Sequence, residues 1–191
     1  MSFRLPFRKL GAGPILRSDK ILLRPPNIDD FKAWVDVRKS SRSFLQPWEP
    51  EWQDDEFTRT SFRYRLHVYN KMALEERSIA LFIFDASGKK LLGAINLNNI
   101  RRGISQSASF GYWIGETHAR HGYMTEATRL LLDHAFHDMG LHRIEAACLP
   151  SNAASIALLK KTGFEQEGYA KSYLKIAGIW HDHFLFARLK S

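Results

Sequence analysis

The sequence lacks the features that mark secreted and membrane proteins. It has one cysteine, Cys148, which cannot form an internal disulfide, and this agrees with a reducing compartment. Its longest apolar runs are far shorter than the roughly 18 residues that a membrane span requires. Residues 1–9 alternate charged and apolar side chains instead of forming the apolar core of a signal peptide. We therefore expect a cytoplasmic protein without a membrane segment.

Metal and nucleic-acid motifs are also missing. The eight histidines show no metal-binding spacing, and the pair His181 and His183 lacks a third and a fourth ligand. There are 28 basic and 20 acidic residues, and the formal charge of +8 would attract anions such as cofactor phosphates or RNA. Without an RNA-recognition motif or an arginine-rich tail, the charge favours the basic surface of an enzyme that binds a phosphorylated cofactor.

A chain of 191 residues suits one domain with a sizeable core. Residues 1–17 are predicted to form an N-terminal arm, and residues 18–191 a single domain. Turn residues and hydrophobic spacing predict helices that start at Asn27, Asp54, Gly122 and Asn152, and strands over 20–24, 79–84, 91–98, 107–114, 143–149, 166–174 and 181–188. Short loops favour antiparallel hairpins, whereas the helix after strand 107–114 implies a parallel crossover to strand 143–149. The prediction is an α+β fold: a mixed, mainly antiparallel sheet, flanked by helices and open where its two central parallel strands part.

The segment from Phe110 to Phe164 is the most informative part of the chain. A strand that ends in Tyr112-Trp113-Ile114-Gly115 is followed by Ala119-Arg120-His121-Gly122-Tyr123-Met124-Thr125, where a helix opens. A strand that turns at glycine into a helix leaves backbone N–H groups free at the helix start. Such a turn is suited to bind a diphosphate.

These motifs resemble the GNAT superfamily of acyl-CoA-dependent N-acetyltransferases, and in particular its RimJ/RimL branch, which acetylates the N-terminal residues of ribosomal proteins. Further branch-like segments occur at residues 22–26, 44–50, 163–171 and 178–183, so the likeness covers the chain from about Ser18. The resemblance implies transfer of an acetyl group from acetyl-CoA to an N-terminal α-amine, with alanine of a ribosomal protein as the expected acceptor. The amine would attack directly in a ternary complex. Either a monomer or a homodimer is compatible with this.

The resemblance also implies a coenzyme site. The residues that would contact acetyl-CoA are Trp113, Ile114 and Gly115 beside the pantetheine arm, Arg120, His121, Gly122, Tyr123, Met124 and Thr125 at the pyrophosphate, and Asn152 and Ser155. Branch members usually carry Gln-Gly in place of Ala119-Arg120. Because arginine enters the left-handed region less readily than glycine, a different path of this loop is expected, with the guanidinium replacing part of the amide contacts.

For catalysis, the resemblance assigns Ser155 the role of protonating the departing thiolate; the alternative is a small serine that packs in the helix. The glutamate proposed as the base in some branch members would fall at Leu174, so it cannot be carried over. Glu145 is the chosen substitute, with Glu116 and Asp182 as alternatives.

Trp48, Glu49 and Asp182 are the predicted acceptor-binding residues, with Glu49 able to pair with a cationic amine. Deprotonating a peptide α-amine at pH 7 costs at most about 1.4 kcal/mol, compared with about 4.6 kcal/mol for a lysine. The lack of an obvious base therefore fits an α-amine better.

A small amine acceptor, such as a polyamine or an aminoglycoside, and a non-catalytic RNA- or ribosome-associated module stay open as alternatives. The cysteine, Cys148, is expected to be an inert buried thiol and not a nucleophile.

Overall fold

The structure is a computed structural model that describes residues 11–190. Residues 1–10 of the expected N-terminal arm lie outside the described residues. Within the described part of that arm, Leu16–Arg17 form the first strand and pair with Leu22 and Leu23. The sheet therefore begins before Ser18, where the domain was expected to start.

In the described part of the chain, eight strands form one sheet: β1 (Leu16–Arg17), β2 (Ile21–Arg24), β3 (Ile79–Asp85), β4 (Leu91–Arg101), β5 (Ser107–Ile114), β6 (Arg143–Cys148), β7 (Glu165–Ile176) and β8 (Ile179–Leu189). Within residues 11–190, five α-helices accompany them: α1 (Phe31–Ser40), α2 (Arg42–Leu45), α3 (Arg59–Leu74), α4 (Tyr123–Asp133) and α5 (Ala153–Lys161).

The order of the strands is β1-β2-β3-β4-β5-β6-β8-β7, and each neighbouring pair is antiparallel except β5 and β6. The parallel pair is connected through α4, as the crossover argument predicts. Its register covers three residue pairs, from Ser107–Arg143 to Ser109–Glu145, after which the two strands part. The expected fold class, a mixed and mainly antiparallel sheet with splayed central strands, is confirmed.

The helices pack on both faces of the sheet. Their apolar side chains and those of the strands form two separate clusters, one on each face. On one face, Met124, Leu131 and Leu159 of α4 and α5 join the larger core. On the other face, Trp34 of α1 and Phe62 of α3 pack in a smaller cluster that also contains Phe82 and Trp113. The division follows from the alternation of side chains along each strand. The opening between β5 and β6 thus has α4 and α5 on one side and α1 and α3 on the other.

Two predicted helix boundaries have the expected capping interactions. The Asn27 side chain accepts from the Asp29 amide, and the Asp30 side chain accepts from the Asn27 amide, which completes a capping box. At the end of α5, the Phe164 amide donates to the Leu159 carbonyl at 2.9 Å, while Gly163 is left-handed with φ 82°. This is the hydrogen bond of a Schellman motif.

The helix predicted to start near Asp54 begins instead at Arg59, because Thr58 is its N-cap and accepts from the Ser61 amide at 3.2 Å. The preceding residues 54–57 form turns. The helix continues to Leu74. Within residues 11–190, no helix combines the length and the apolar character needed to traverse a bilayer.

Candidate active site

Because β5 and β6 diverge, the last residues of β5 have no strand partner on their β6 side. β5 is paired with β4 up to Ile114, but its parallel register with β6 ends at Ser109. Residues 110–114 therefore border an opening in the sheet on their β6 side. Backbone groups along such an edge can pair with an extended ligand, as they would with another strand.

On the α4 side of this opening, the turn before the helix presents backbone amides. Gly122 precedes the helix in the left-handed region with φ 81°, and no side chain of the described residues caps this end of α4. The first intrahelical bond runs from the Glu126 amide to the Gly122 carbonyl at 3.1 Å. The amides of Tyr123, Met124 and Thr125 consequently have no intrahelical acceptor. Together with the helix dipole, they suit an anion such as a diphosphate.

Arg120 takes the left-handed conformation that is disfavoured for an arginine, with φ 64°. The turn therefore contains two left-handed residues, Arg120 and Gly122, and both are exposed. A left-handed non-glycine residue costs on the order of 1–2 kcal/mol, so the surrounding structure must hold it in place. A β-carbon added at Gly122 would meet nothing within 4 Å, which leaves the space above the turn open. An anion with the size of a diphosphate fits these residues.

The start of α5 is constructed differently. The Asn152 side chain accepts from the Ser155 amide at 3.0 Å, so the helix is capped by its own residue. This bond places Ser155 in the first turn, where its hydroxyl lies 2.6 Å from the Tyr112 hydroxyl on β5. Ser155 thus joins the start of α5 to the splayed strand, and Asn152 caps the same turn. The side chain of Tyr112 therefore lies at the start of α5, beside the opening.

Burial determines the protonation of two groups at this position. It raises the pKa of Tyr112 to about 12, against an opposing contribution from its hydrogen bond with Ser155. Burial likewise raises the pKa of the Cys148 thiol, which also interacts with Ser155. Cys148 is 6% exposed. At neutral pH both groups are protonated, and the expectation of an inert buried thiol agrees with this environment.

A cavity of about 400 Å³ lies on the opposite side of the opening, beside α1 and α3. We call it the arginine cavity; its polar lining residues include Arg38, Glu49, Trp52, Glu56, Arg65, Tyr69 and Asn96, and it also contacts Gly111, Tyr112 and Trp113 of β5. Because its lining includes the splayed part of β5, the cavity adjoins the opening. It lies on the face of the sheet opposite α4 and α5.

Buried ion pairs form the wall of the arginine cavity. Arg38 is 6% exposed and donates to Glu49 at 2.7 Å, with its guanidinium over the rings of Trp52 and Trp113 at 4.5 and 5.1 Å. Arg65 donates to Glu56 at 2.8 Å. Glu49 and Glu56 are therefore each matched by a guanidinium. Glu51 also lines the cavity and forms no ion pair within residues 11–190, so the wall has one acidic group in excess.

The acceptor residues expected on this side have different surroundings. Glu49 lines the cavity, but its two oxygens accept from Arg38 and from the Trp52 indole at 2.7 and 2.8 Å. Each carboxylate oxygen keeps a further lone pair, so the role of Glu49 in binding an amine stays a prediction. Trp48 lies in a short 3₁₀ turn, is 37% exposed and is not part of the cavity wall. Trp52 occupies the wall position instead.

A second cavity, of about 490 Å³, adjoins the opening from the β6 side. We call it the Glu145 cavity; it is lined by Ser109 and Phe110 of β5, by Glu145, Ala146 and Ala147 of β6, and by residues of β7 and β8. Glu145 accepts from Arg143 at 2.8 Å, and Arg143 also donates to Glu167. Because side chains alternate along a strand, Glu145 and Cys148 point to opposite faces of β6. Glu145 is therefore on the side opposite Ser155.

The other two candidate bases line neither cavity. Asp182 accepts from the Tyr169 hydroxyl and from the Ser172 amide, which lowers the pKa of its carboxyl. These bonds hold the β7–β8 hairpin together at an irregularity of its register. Glu116 begins a 3₁₀ turn after β5, and its amide donates to the Ser41 hydroxyl at 2.9 Å.

The remaining predicted coenzyme residues surround the turn and the end of β5. Trp113 packs in the α1–α3 cluster and Ile114 against the larger core, while the Gly115 amide donates to Leu92 at 2.8 Å. His121 and Tyr123 stack with ring centroids 5.9 Å apart. Met124 is 8% exposed and anchors the start of α4.

Sequence reasoning missed Arg38, Glu56, Arg65 and Tyr69 of the arginine cavity. The signal for two of them was present, since Arg65 and Tyr69 are four residues apart and share one side of α3. Their partner Glu56 lies before the helix, and no local pattern indicates that it turns inward. Within residues 11–190, no group of three or more histidine, cysteine or acidic side chains is placed to hold a metal ion.

Known proteins match this chain over most of its length. A family model described as an acetyltransferase (GNAT) domain matches residues 20–165. The chain is 36% identical to "Probable N-acetyltransferase YjcK" of Bacillus subtilis, covering 92% of this chain and 97% of that protein. It is 34% identical to the [ribosomal protein uS5]-alanine N-acetyltransferase of Escherichia coli, covering 90% of this chain and 89% of the relative. The structure of Mycobacterium smegmatis RimJ in complex with CoA-disulfide superposes with a TM-score of 0.84 at 33% identity, covering 93% of this chain and 86% of that one.

Proposed function

This chain belongs to the GNAT acetyltransferase family, and on that basis we propose that it transfers the acetyl group of acetyl-CoA to the α-amine of a protein N-terminus. The acceptor class is the N-terminal alanine of a ribosomal protein. A relative named for that reaction aligns over 90% of the chain, and solved neighbours are complexes with coenzyme A or its disulfide.

The observation that carries the proposal is the opening between β5 and β6, which has an uncapped helix start on its α4 side and the hydrogen-bonded pair of Tyr112 and Ser155 beside it. Acetyl-CoA would supply the activated acetyl group. The amides of Tyr123, Met124 and Thr125, with Arg120, would hold its pyrophosphate, while the free edge of β5 would hold its extended arm.

Ser155 would donate a proton to the sulfur as it leaves. Its hydroxyl can give up that proton because the Tyr112 hydroxyl, 2.6 Å away, can donate in turn to the serine oxygen. Tyr112 is suited to this because its raised pKa, about 12, keeps it protonated at neutral pH. The serine thus acts as the acid and the tyrosine maintains its protonation.

The acceptor amine would approach from the side of the two cavities, opposite α4 and α5. Glu145 remains the proposed base, since it is the candidate carboxylate that lines a cavity next to the opening. An α-amine requires little help, because its pKa is close to neutral and its deprotonation at pH 7 costs about 1 kcal/mol. A carboxylate that accepts from Arg143, or a water beside it, would be sufficient.

Small polycations are less suitable acceptors. Such amines would require an acidic cleft, whereas Glu49 and Glu56 of the arginine cavity are paired with Arg38 and Arg65. The polyamine and aminoglycoside alternatives therefore lack a specific supporting feature in this cavity. The single unpaired carboxylate of the lining, Glu51, matches one amine, so a peptide with one amine and a neutral backbone fits better than a polycation.

Incubation with acetyl-labelled CoA and a mixture of ribosomal proteins, followed by mass spectrometry, tests the proposal. We expect the label on the α-amine of one or a few proteins that begin with alanine. Label on lysine side chains, or on added spermidine in preference to any protein, would overturn the acceptor assignment. Calorimetry with acetyl-CoA tests the coenzyme site separately. The absence of saturable binding would exclude acetyl transfer both to a peptide and to a small amine.

A further inference from the structure

The outward side of α3 carries a row of basic residues that has no counterpart of opposite charge on the helix. The helix, Arg59–Leu74, contains no aspartate or glutamate. Arg59, Arg63, His67 and Lys71 recur every fourth residue, and all of them are exposed. With a rise of 1.5 Å per residue, neighbouring members of the row are about 6 Å apart along the helix axis. The row therefore extends for about 18 Å.

Structural contacts account for only part of this row, since the Arg59 guanidinium lies over the Phe31 ring at 5.8 Å. The inward arginine of the same helix, Arg65, donates to Glu56 and forms the wall of the arginine cavity. By contrast, Arg63 and His67 make no ion pair within residues 11–190, and Lys71 reaches Glu75 only at 4.0 Å. Four solvated groups of like sign on neighbouring turns repel one another when charged and slightly destabilise a free helix. A partner of opposite charge would relieve that repulsion.

We propose that this basic row, Arg59, Arg63, His67 and Lys71 together with Tyr64, binds the phosphate backbone of RNA. A nucleic-acid strand presents permanent charges in a regular line, which matches an evenly spaced row better than the irregular carboxylates of an acidic peptide. Guanidinium groups can bind phosphate oxygens through paired hydrogen bonds. Tyr64 is 70% exposed on the same outward side, where its ring can stack on an unpaired base.

This surface is separate from the acetyl-transfer site. The inward residues of α3, Arg65 and Tyr69, line the arginine cavity, whereas the basic row is on the solvent side of the helix. RNA bound there would tether the protein to a ribonucleoprotein while both cavities stay accessible. The net charge of +8 adds a long-range attraction toward the same kind of partner.

The test measures binding of the full chain to a fluorescently labelled single-stranded RNA of about 20 nucleotides, by anisotropy from about 50 to 200 mM KCl. The double variant Arg63→Gln/Lys71→Gln removes two members of the row that do not contact the core. We expect roughly tenfold weaker binding at the lowest salt, and a salt slope reduced by about 1.4, because each phosphate contact to a single strand contributes about 0.7. Tyr64→Ala should weaken binding but leave the slope unchanged, since stacking releases no counterions.

The matched control is Lys160→Gln/Lys161→Gln, which removes the same charge from α5 on the other side of the sheet. It should keep the wild-type affinity and slope to within about twofold. Equal losses in the two double variants would overturn the proposal, because the attraction would then come from net charge alone. The proposal would also be wrong if wild-type protein showed no saturable RNA binding, or if polyglutamate of equal charge displaced the RNA as well as unlabelled RNA does.

Discussion

The two helices that border the opening, α4 and α5, begin in opposite ways. The start of α4 is exposed, follows two left-handed residues, and has no side-chain cap within residues 11–190. The start of α5 is capped by Asn152 and half-buried against β5, with Ser155 bonded to Tyr112. Both helix starts lie at the positive end of a helix dipole. Only the start of α4 leaves its amides available to an external anion.

The difference separates two tasks within one site. An uncapped end binds a charged group that comes from solution, and its stability suffers until that group is present. A self-capped end fixes its own side chains, and so it can hold a hydroxyl in one position for proton transfer. We therefore expect substitutions at α5 to affect turnover and folding, and substitutions at α4 to affect coenzyme affinity.

The largest effect is expected at Ser155. Ser155→Ala removes the proposed acid, so turnover should fall about 100-fold while acetyl-CoA affinity changes by no more than about twofold. Steady-state kinetics and calorimetry give the two values. Ser151→Ala, in the exposed turn before α5, is the control and should retain wild-type turnover. Wild-type turnover in Ser155→Ala would remove the serine from the mechanism.

Next in size is the response of Tyr112 to high pH. Its folded pKa, about 12, exceeds the ordinary value of 10, so the stability that depends on the neutral phenol is complete below pH 10 and is lost as pH rises toward 12. Over that interval, the free energy of unfolding should fall by about 2 kcal/mol more in the wild type than in Tyr112→Phe. Urea unfolding at several pH values measures this difference. Parallel profiles for the two proteins would mean that the phenol is hydrated and not buried.

At α4, Gly122→Asp would give the helix a carboxylate at its N-cap and so make it resemble α5. The carboxylate would occupy the amides and repel a diphosphate, so acetyl-CoA should bind about tenfold more weakly, a loss of about 1.4 kcal/mol. Gly122→Asn has the same shape without the charge and tolerates the left-handed conformation, so it should lose much less. Equal affinities of the aspartate and asparagine variants, measured by calorimetry, would contradict an anion site here.

The smallest expected effect concerns the cap of α5. Asn152→Ala removes the acceptor for the Ser155 amide and should lower the free energy of unfolding by about 1 kcal/mol. Asn152→Ser keeps a capping oxygen and should lose less than half of that. Chemical denaturation measures both variants. If the alanine and serine variants were equally stable, the α5 cap would contribute nothing to the free energy of unfolding. The contrast with α4 would then rest on geometry alone.

The sequence predicted those parts of the site that depend on neighbouring residues. The glycine turn before α4, the Asn152 cap and the Gly163 stop are local signals, because each is set by a few consecutive residues. The splay of β5 and β6 was also predicted, through resemblance and the crossover argument, and its register confirms it.

Contacts between distant segments could not be read in the same way. Tyr112 and Ser155 are 43 positions apart, and the alternation of β5 indicates only that the tyrosine faces the core. Glu49 is 11 positions from Arg38, and nothing local shows that the arginine occupies it. Tertiary packing therefore gives Glu49 an internal partner that its sequence neighbours do not reveal.

The short parallel register of β5 and β6 divides the sheet into five strands on one side and three on the other, joined by three residue pairs. Apart from the contact of β1 with β2 at the sheet edge, it has the fewest residue pairs of the strand pairs in the described sheet. An extended ligand laid between the strands would supply the missing rungs, so the coenzyme would complete the sheet as well as react. We expect the two parts to move with respect to each other when empty, and to behave as one body once the gap is filled.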